Sequence, residues 1–375
     1  MNNMTKVSIA IPAKNSGRTV EKTLKSLINL NYPKELLEVI IGDNGSTDNT
    51  QNIILEYEKK HPNLIKYLDA SDCPGGGKTR EKLVDHCSGE IVVCTDADIV
   101  AHPDWIKELV KPFAMDPQIG CVGGEILSQV LDENNLVEQY CKQRDLLKVS
   151  KRRRIKTEGY IRGFRDLAPS DIVGWYTPFF ATANCAYRKD VIYEVGNDWD
   201  DNNDDEHFGF KVALKGYKQY FTSAAIIYHL HRNSVEGLKK QLHYYGYNHP
   251  KLIQQFSKNK FEILLGMDRY KCNYIKIPFF KPVVIFIGWF NFMLLSILTS
   301  FLASINVLNH NILPISLIFS LFSAVKFFQP CFKLKPFNKI FYWMYLRFII
   351  NWYYLIGVIK GSFKFKRICI EEPNY

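Results

Sequence analysis

Apolar residues over roughly the first 130 positions follow two alternating rhythms. Short runs rich in apolar and β-branched residues occur at Val7–Pro12, Leu37–Gly42, Leu64–Leu68 and Ile91–Thr95. Between them, Thr19–Leu30 places Val20, Leu24, Leu27 and Ile28 at helical spacing. Thr47–Tyr57, with Ser46 or Thr47 near its N-cap, and Thr79–Cys87 read as further helices. Strands alternating with helices predict βαβ units and a parallel sheet covered on both faces. From Leu131 to Lys156 the pattern predicts a helical stretch that grows basic, ending in Lys151-Arg152-Arg153-Arg154. A loop-rich stretch follows to about Tyr176, then Ala181–Arg188, the acidic run Asp198–Glu206, and one more helix over Asn233–Gln255.

The last quarter changes character. No formally charged residue occurs from Pro282 to Val325, about twice the ~20 apolar residues that span a bilayer. Two spans are predicted, 283–304 and 312–328, joined by the uncharged turn Ile305–Asn311. Lys276 and Lys281 precede the first; Lys326, Lys333, Lys335 and Lys339 lie at or after the end of the second. Basic residues on one side only place both flanks in the cytosol and the turn outside. A third run, 340–359, is apolar and aromatic but contains Arg347 and has basic residues at both ends. It reads as a helix lying in the interface, with a third span as the alternative. The division expected is a catalytic domain over 1–270 and a membrane module over 271–375.

Composition changes this picture little. The N-terminus lacks a signal-peptide pattern, so the globular part is expected in the cytosol, held at the cytoplasmic membrane by a multi-pass C-terminus. Nine cysteines without C-x-x-C spacing suggest neither a disulfide framework nor a zinc site. The formal net charge of +10 favours an anionic partner. With two spans present, that partner is anionic membrane lipid rather than nucleic acid.

In open parallel sheets, ligands sit beyond the carboxyl ends of the strands. The unusual polar residues cluster there: Ala13–Ser16, Asp43–Asp48 and Asp96–Asp98. Asp96-Ala97-Asp98 follows the apolar Ile91-Val92-Val93-Cys94. Two carboxylates one residue apart at a strand end can share a hard divalent cation, as a nucleotide diphosphate requires. Alone, D-x-D is common turn and cap chemistry.

Three ordered segments add to it: Val7–Asn15, Ile40–Asp48 and Gly89–Asp98. Together they resemble the family 2 glycosyltransferases of the GT-A fold, over roughly residues 6–250. The resemblance implies a Rossmann-like nucleotide-binding sheet with an acceptor-side extension. It places Pro12, Asn15 and Asp43 on the nucleotide sugar, Asp96 near the ribose and Asp98 on the metal, Mn²⁺ or Mg²⁺. Arg80 would contact the base or phosphates, although Glu81 stands where the family has asparagine. Thr182–Arg188 looks like the acceptor-side segment, with Asn184 as an acceptor contact.

Asp204-Asp205-Glu206-His207-Phe208-Gly209-Phe210-Lys211 looks like the family's E-D-x-x-[LF]-G-x-[RK] element, with Asp204 in place of glutamate. Its aspartate, Asp205, is implied as the base that deprotonates an acceptor hydroxyl; without the resemblance, such an acidic run reads as a solvated helix cap. A histidine ending the strand Ala225–Tyr228 matches the family's further metal ligand, and His229 is chosen over His231.

Gln241–Gly246 occupies the place of the Q-x-x-R-W of processive synthases, without Arg or Trp. Transfer of a single sugar is therefore expected, from a UDP- or GDP-linked donor to a lipid-linked or membrane-delivered glycan acceptor in cell-surface glycan synthesis, and the resemblance implies inversion at the anomeric centre. Arg152, Arg153 and Arg154 are candidates for the acceptor's phosphate or the lipid surface. Two rivals stay open, a sugar-nucleotide pyrophosphorylase and a catalytically inactive membrane scaffold. The first lacks its Gly-rich loop after strand one; the second needs none of these acidic residues.

Overall fold

A computed structural model of the chain describes residues 5–152, 155–161, 179–201, 203–256, 261–265, 273–277, 283–285, 288–370 and 373. Its contacts divide the chain into two units. Among the described residues the first draws on Met1–Leu131 and 145–231, the second on Asp132–Arg144 and Arg232–Tyr375. The division therefore falls at His231 rather than near 270, and a short piece from the middle of the chain joins the C-terminal unit.

The first unit opens with the expected alternation: β1 (Val7–Ala13), α1 (Val20–Ile28), β2 (Leu37–Asp43), α2 (Thr50–Lys60), β3 (Ile65–Asp69), α3 (Gly76–His86) and β4 (Ile91–Cys94). β1 and β2 are buried along nearly their whole length, as a strand covered on both faces must be. After β5 (Ile99–Ala101), α4 (Trp105–Val110) and β6 (Ile119–Gln129), the chain passes through α5 (Leu136–Gln143) and α6 (Val149–Arg152). The unit ends with β7 (Gly159–Ile161), β8 (Cys185–Arg188), α7 (Lys189–Val195), α8 (Asp204–Leu214) and β9 (Lys218–Leu230). Strand order is β3-β2-β1-β4-β8-β6-β9-β5, with β7 also on β9. The four strands β3, β2, β1 and β4 are parallel; β8 then enters antiparallel.

The helical stretch expected over 131–156 is broken. α5 ends at Gln143, and Asp145 takes a left-handed backbone with φ of 51°. The second piece starts where Glu125, reaching from β6, accepts hydrogen bonds from the Val149 and Ser150 amides at 2.7 and 3.4 Å. A buried carboxylate at a helix start satisfies amides that have no partner within the helix. A contact so distant in sequence is invisible to periodicity.

Glu38 ties three strands at the end of the sheet opposite the D-x-D. Only 4% exposed, it accepts hydrogen bonds from Ser8 (2.5 Å), Lys66 (2.7 Å) and the Ser88 amide (2.6 Å). Burial alone would raise its carboxyl. The Lys66, Ser8 and Ser88 hydrogen bonds outweigh burial and lower it from 4.5 to about 2. A depressed carboxyl contributes stability that is full above the unfolded-state value and is lost as pH falls through the folded one, here between 4.5 and about 2. That shift corresponds to roughly 3 kcal/mol. Glu38→Gln is therefore expected to lower the thermal midpoint of the full chain in detergent at pH 7. Its deficit against wild type should shrink steadily below pH 4.5; a deficit constant down to pH 3 would contradict the assignment.

The second unit adds α9 (Val235–Phe256), β10 (Phe261–Leu265), β11 (Asn273–Ile277), β12 (Val283–Ile285), α10 (Trp289–Ser304), α11 (Leu313–Phe328), α12 (Ile340–Phe365) and β13 (Ile368–Ile370) to α5. The first expected span, 283–304, is corrected: Val283–Ile285 pairs in parallel with Ile368–Ile370, and the helix begins only at Trp289. Its 16 residues measure about 24 Å, short of the ~30 Å hydrocarbon core. The segment His310–Lys333, with mean hydropathy 1.7, is long and apolar enough to cross a membrane. α10 and α11 meet through hydroxyls, Ser300 donating to Ser316 at 2.9 Å. Leu298, Phe301, Ile318 and Leu321 remain exposed on the outside. Small polar residues between apolar helices permit such close packing.

α12 packs along α9 through glycine. A Cβ on Gly357 would lie 2.2 Å from the His243 carbonyl oxygen, and one on Gly361 2.2 Å from that of Tyr247. Both obstacles are backbone, which cannot yield without separating the helices. Gly357→Leu is expected to cost upwards of about 2 kcal/mol, read as a fall in the thermal midpoint of the full chain in detergent.

Candidate functional site

The D-x-D lies in the crossing from β4 to β5, at the carboxyl end of the parallel strands. β5 runs antiparallel to β9 with Ile99 opposite His229, which brings a histidine 131 residues away beside Asp98. The His229 Nε2 is 3.3 Å from Asp96 and 3.4 Å from Asp98. Its Nδ1 meets the Leu230 carbonyl at 2.8 Å. That bond fixes the ring, with a proton on Nδ1 and Nε2 facing the carboxylates, the arrangement found around metal-ligating histidines. Burial would lower the imidazole, but the charges of Asp98 and Asp96 outweigh it and raise His229 to about 9. The pocket thus favours a positive charge. One donor atom from each of Asp96, Asp98 and His229 lies within 4.8 Å of the others. Two carboxylates and one imidazole, half-buried, suit Mn²⁺ or Mg²⁺. His231 takes another course: its Nε2 meets the Ser128 hydroxyl at 2.7 Å, and burial lowers its imidazole to about 4.

The acidic run 198–206 is strapped to α3. Asp201 accepts the Lys78 amide at 2.8 Å, Asp198 pairs with the Lys78 ammonium at 3.1 Å, and Asn197 donates to the Glu81 carbonyl at 3.1 Å. Trp199 is fully buried and stacked on Phe208 with ring centroids 3.8 Å apart. α8 then starts at Asp204, with Asp204, Asp205 and Glu206 in its first turn, where the helix dipole favours negative charge. Asp205 is half-buried there, one of its oxygens accepting the Glu206 amide at 2.8 Å.

Arg80, expected to contact the base or phosphates, is 2% exposed. Its guanidinium lies 3.5 Å from Asp96 and 3.3 Å from Asp204, beneath the site. Asn184, expected as an acceptor contact, also lies inside the fold. Buried, it accepts from the Trp105 indole at 2.8 Å and donates to the Glu125 and Ala225 carbonyls, both at 2.9 Å, which occupies the amide in holding the sheet together. Arg152 ends α6; Arg153 and Arg154 lie outside the described residues.

Pro12, Asn15 and Asp43 gather at the ends of β1 and β2. Asp43 Oδ1 accepts from the Ser46 amide (3.0 Å) and hydroxyl (2.5 Å), while Oδ2 has no hydrogen bond among the described residues. Asn15, at φ 50°, accepts the Thr47 amide at 2.8 Å and so couples the two loops. Lys78, Asp198, Asp201 and Trp199 form a clamp the sequence reading missed. Its legible sign was Gly75-Gly76-Gly77 at the start of a helix, since a Cβ at Gly77 would lie 2.5 Å from the Asp200 carbonyl.

The sheet and this cluster define an α/β protein that presents a carboxylate–imidazole set able to hold a cation at the carboxyl ends of its parallel strands. The model of glycosyl transferase family 2 matches residues 8–196, half of the chain, and the chain belongs to that family. Among similar curated proteins, poly-beta-1,6-N-acetyl-D-glucosamine synthase of Staphylococcus epidermidis is 27% identical over 239 residues, covering 63% of this chain and 52% of its own. The probable glycosyltransferase YdaM of Bacillus subtilis (strain 168) is 27% identical over 240 residues, covering 60% and 51%. The chain thus spans about half the length of the curated relatives it matches. Among solved structures, the mannosyltransferase PcManGT from Pyrobaculum calidifontis, in complex with GDP-Man and Mn²⁺, has a TM-score of 0.56 at 17% identity, covering 97% of this chain and 88% of its own. At that identity the likeness concerns the GT-A fold.

Proposed function

We propose that this chain transfers a single sugar, with inversion, from a UDP- or GDP-linked donor to a hydroxyl of a lipid-linked or membrane-delivered acceptor in cell-surface glycan synthesis. The observation that carries this is the Asp96–Asp98–His229 cluster, joined by Arg80 to the helix turn that bears Asp205. When bound at Asp98 and His229, a divalent cation supplies counter-charge for the departing diphosphate. Asp43, with Asn15 and Pro12 beside it, lines the strand ends where the nucleoside lies. Asp205 accepts the acceptor's hydroxyl proton as the new oxygen–carbon bond forms and the anomeric carbon–phosphate oxygen bond breaks.

The second unit is read as the membrane seat. Phe290 at the start of α10 and Phe327 near the end of α11 have ring centroids 5.1 Å apart, so both helix ends share one face of the hairpin. α12 meets that base through Phe348, 5.5 Å from Phe290, and through Arg347, which donates to the Phe327 carbonyl. Its exit strand β13 returns to β12, just before α10. Both ends of α12 thus stay near one face, which favours a helix lying in the interface over a third span. The basic stretch around Arg152, Arg153 and Arg154 remains a candidate for the acceptor's phosphate or an anionic lipid surface.

Purified full-length protein, supplied with UDP-GlcNAc or GDP-mannose, should release nucleoside diphosphate with Mn²⁺ and none with EDTA. Release of nucleoside triphosphate on adding pyrophosphate would establish the pyrophosphorylase reading, and no turnover across a donor panel the scaffold. Since the Staphylococcus epidermidis relative is named for a polymer, product mass decides the remaining point: a ladder of added sugars would replace single transfer with polymerisation.

A further inference from the structure

A buried arginine needs a reason. Arg80 stands on the second turn of α3, 2% exposed, yet it carries its charge in the interior, between two carboxylates from different parts of the chain. Both contacts leave from the same edge of the guanidinium: Nη2 lies 3.5 Å from Asp96 and Nε 3.3 Å from Asp204, so neighbouring nitrogens serve two different carboxylates. The group also lies over the Trp199 ring, 5.9 Å from its centroid, and Trp199 is itself immobilised on Phe208. Nε and one terminal nitrogen make no hydrogen bond among the described residues, so the contacts are ion pairs in a slot between two carboxylates and an indole face, and that flat slot fits a planar guanidinium better than a lysine ammonium.

The contacts have a common geometry. Asp96 is shared, one oxygen toward Arg80 and the other 3.3 Å from His229. Asp204 is the first residue of α8, so fixing its carboxylate sets the rotation of that helix and hence the direction of the next side chain, Asp205. The other clamps from α3, Lys78 to Asp198 and Asp201, hold the preceding loop. Arg80 reaches both the acidic run and the D-x-D.

We propose that Arg80 is a positioning residue: its guanidinium, held between Asp96 and Asp204, sets the placement of Asp205 relative to the Asp98–His229 cation site. The inference rests on the reading of Asp205 as the base. It replaces the simpler idea that Arg80 holds the nucleotide.

The test uses full-length protein in detergent carrying Arg80→Lys, Asp204→Asn, or both. Binding of Mn²⁺ alone is followed by the electron paramagnetic resonance of the free ion, and turnover is measured with UDP-GlcNAc or GDP-mannose. Arg80→Lys keeps the charge and loses the planar group. Its kcat is expected to fall about 10²-fold, the usual consequence of misplacing a reacting group by about 1 Å. Donor KM and the Mn²⁺ Kd should stay within about threefold of wild type, because Asp43, Asp98 and His229 are untouched. Asp204→Asn, nearly isosteric and the safer variant for folding, should lose kcat in the same way, and the double variant should lose little more than either single one. A rise in donor KM with kcat retained would return Arg80 to the nucleotide. Loss of Mn²⁺ binding would make it a builder of the cation site, and additive losses in the double variant would uncouple it from Asp204. Any of these overturns the inference, as would a fall in thermal midpoint with kinetics unchanged. A wild-type protein that turns over no donor at all would instead fail the proposed function itself.

Discussion

Asp205→Asn is expected to abolish most transfer while leaving the donor and cation in place. Asn matches Asp in size and keeps an oxygen for the Glu206 amide that Asp205 now accepts at 2.8 Å, so α8 should start as before. What is lost is a group able to take a proton. A sugar hydroxyl is a weak nucleophile, and loss of a general base costs typically about 10²–10⁴-fold. The variant should bind Mn²⁺ and donor with constants close to wild type. Transfer at wild-type rates would remove Asp205 from the chemistry. An equal loss in donor affinity would place it on the donor instead.

Asp98→Ala is expected to fail at an earlier stage. Among the described residues the cluster gathers three side chains able to ligate, and Asp98 is the one carboxylate not shared with Arg80 among the contacts described, whereas Asp96 divides its charge between His229 and Arg80. Without Asp98 the site keeps an imidazole and a carboxylate already engaged by a buried cation. Mn²⁺ affinity should fall at least tenfold, and metal-dependent donor binding should disappear with it, because the diphosphate's charge is left without its counter-ion. Titration of Mn²⁺ into the variant checks this directly. Donor affinity that stayed at wild-type strength and still responded to EDTA would move the cation elsewhere.

These two variants separate residues that lie near one another in space but far apart in sequence, and that distance explains what could be read from the chain alone. The first half of the sheet was legible because its signals are local. β1, β2 and β4 are apolar runs ended by polar residues, and ligand-binding groups in such sheets follow the strand ends, so Asp43, Asp96 and Asp98 stand where expected. The break between α5 and α6 was not legible, since it depends on a carboxylate from β6 that reaches the amides of Val149 and Ser150. The start of α10 was not legible either: Val283–Ile285 is as apolar as the helix that follows, and pairing with Ile368–Ile370 makes it a strand.

The site divides in the same way. Sequence alone determined which residue types are present and in what order, because each motif is a short string with its own chemistry: D-x-D for a hard cation, an acidic pair at a helix start, a histidine closing a strand. Tertiary structure decided which of them act together. The β5–β9 pairing, rather than any spacing in the chain, selects His229 for the carboxylates and turns His231 to Ser128. Burial was likewise not legible for Arg80 and Asn184, both polar residues that look like ligand contacts in a linear motif. Each is enclosed with its hydrogen-bonding or charged partners supplied by distant strands and helices. A motif shows a side chain's chemistry, but the side chain's neighbours determine whether that chemistry faces a ligand or the protein's own interior, and those neighbours are set only when the chain closes on itself.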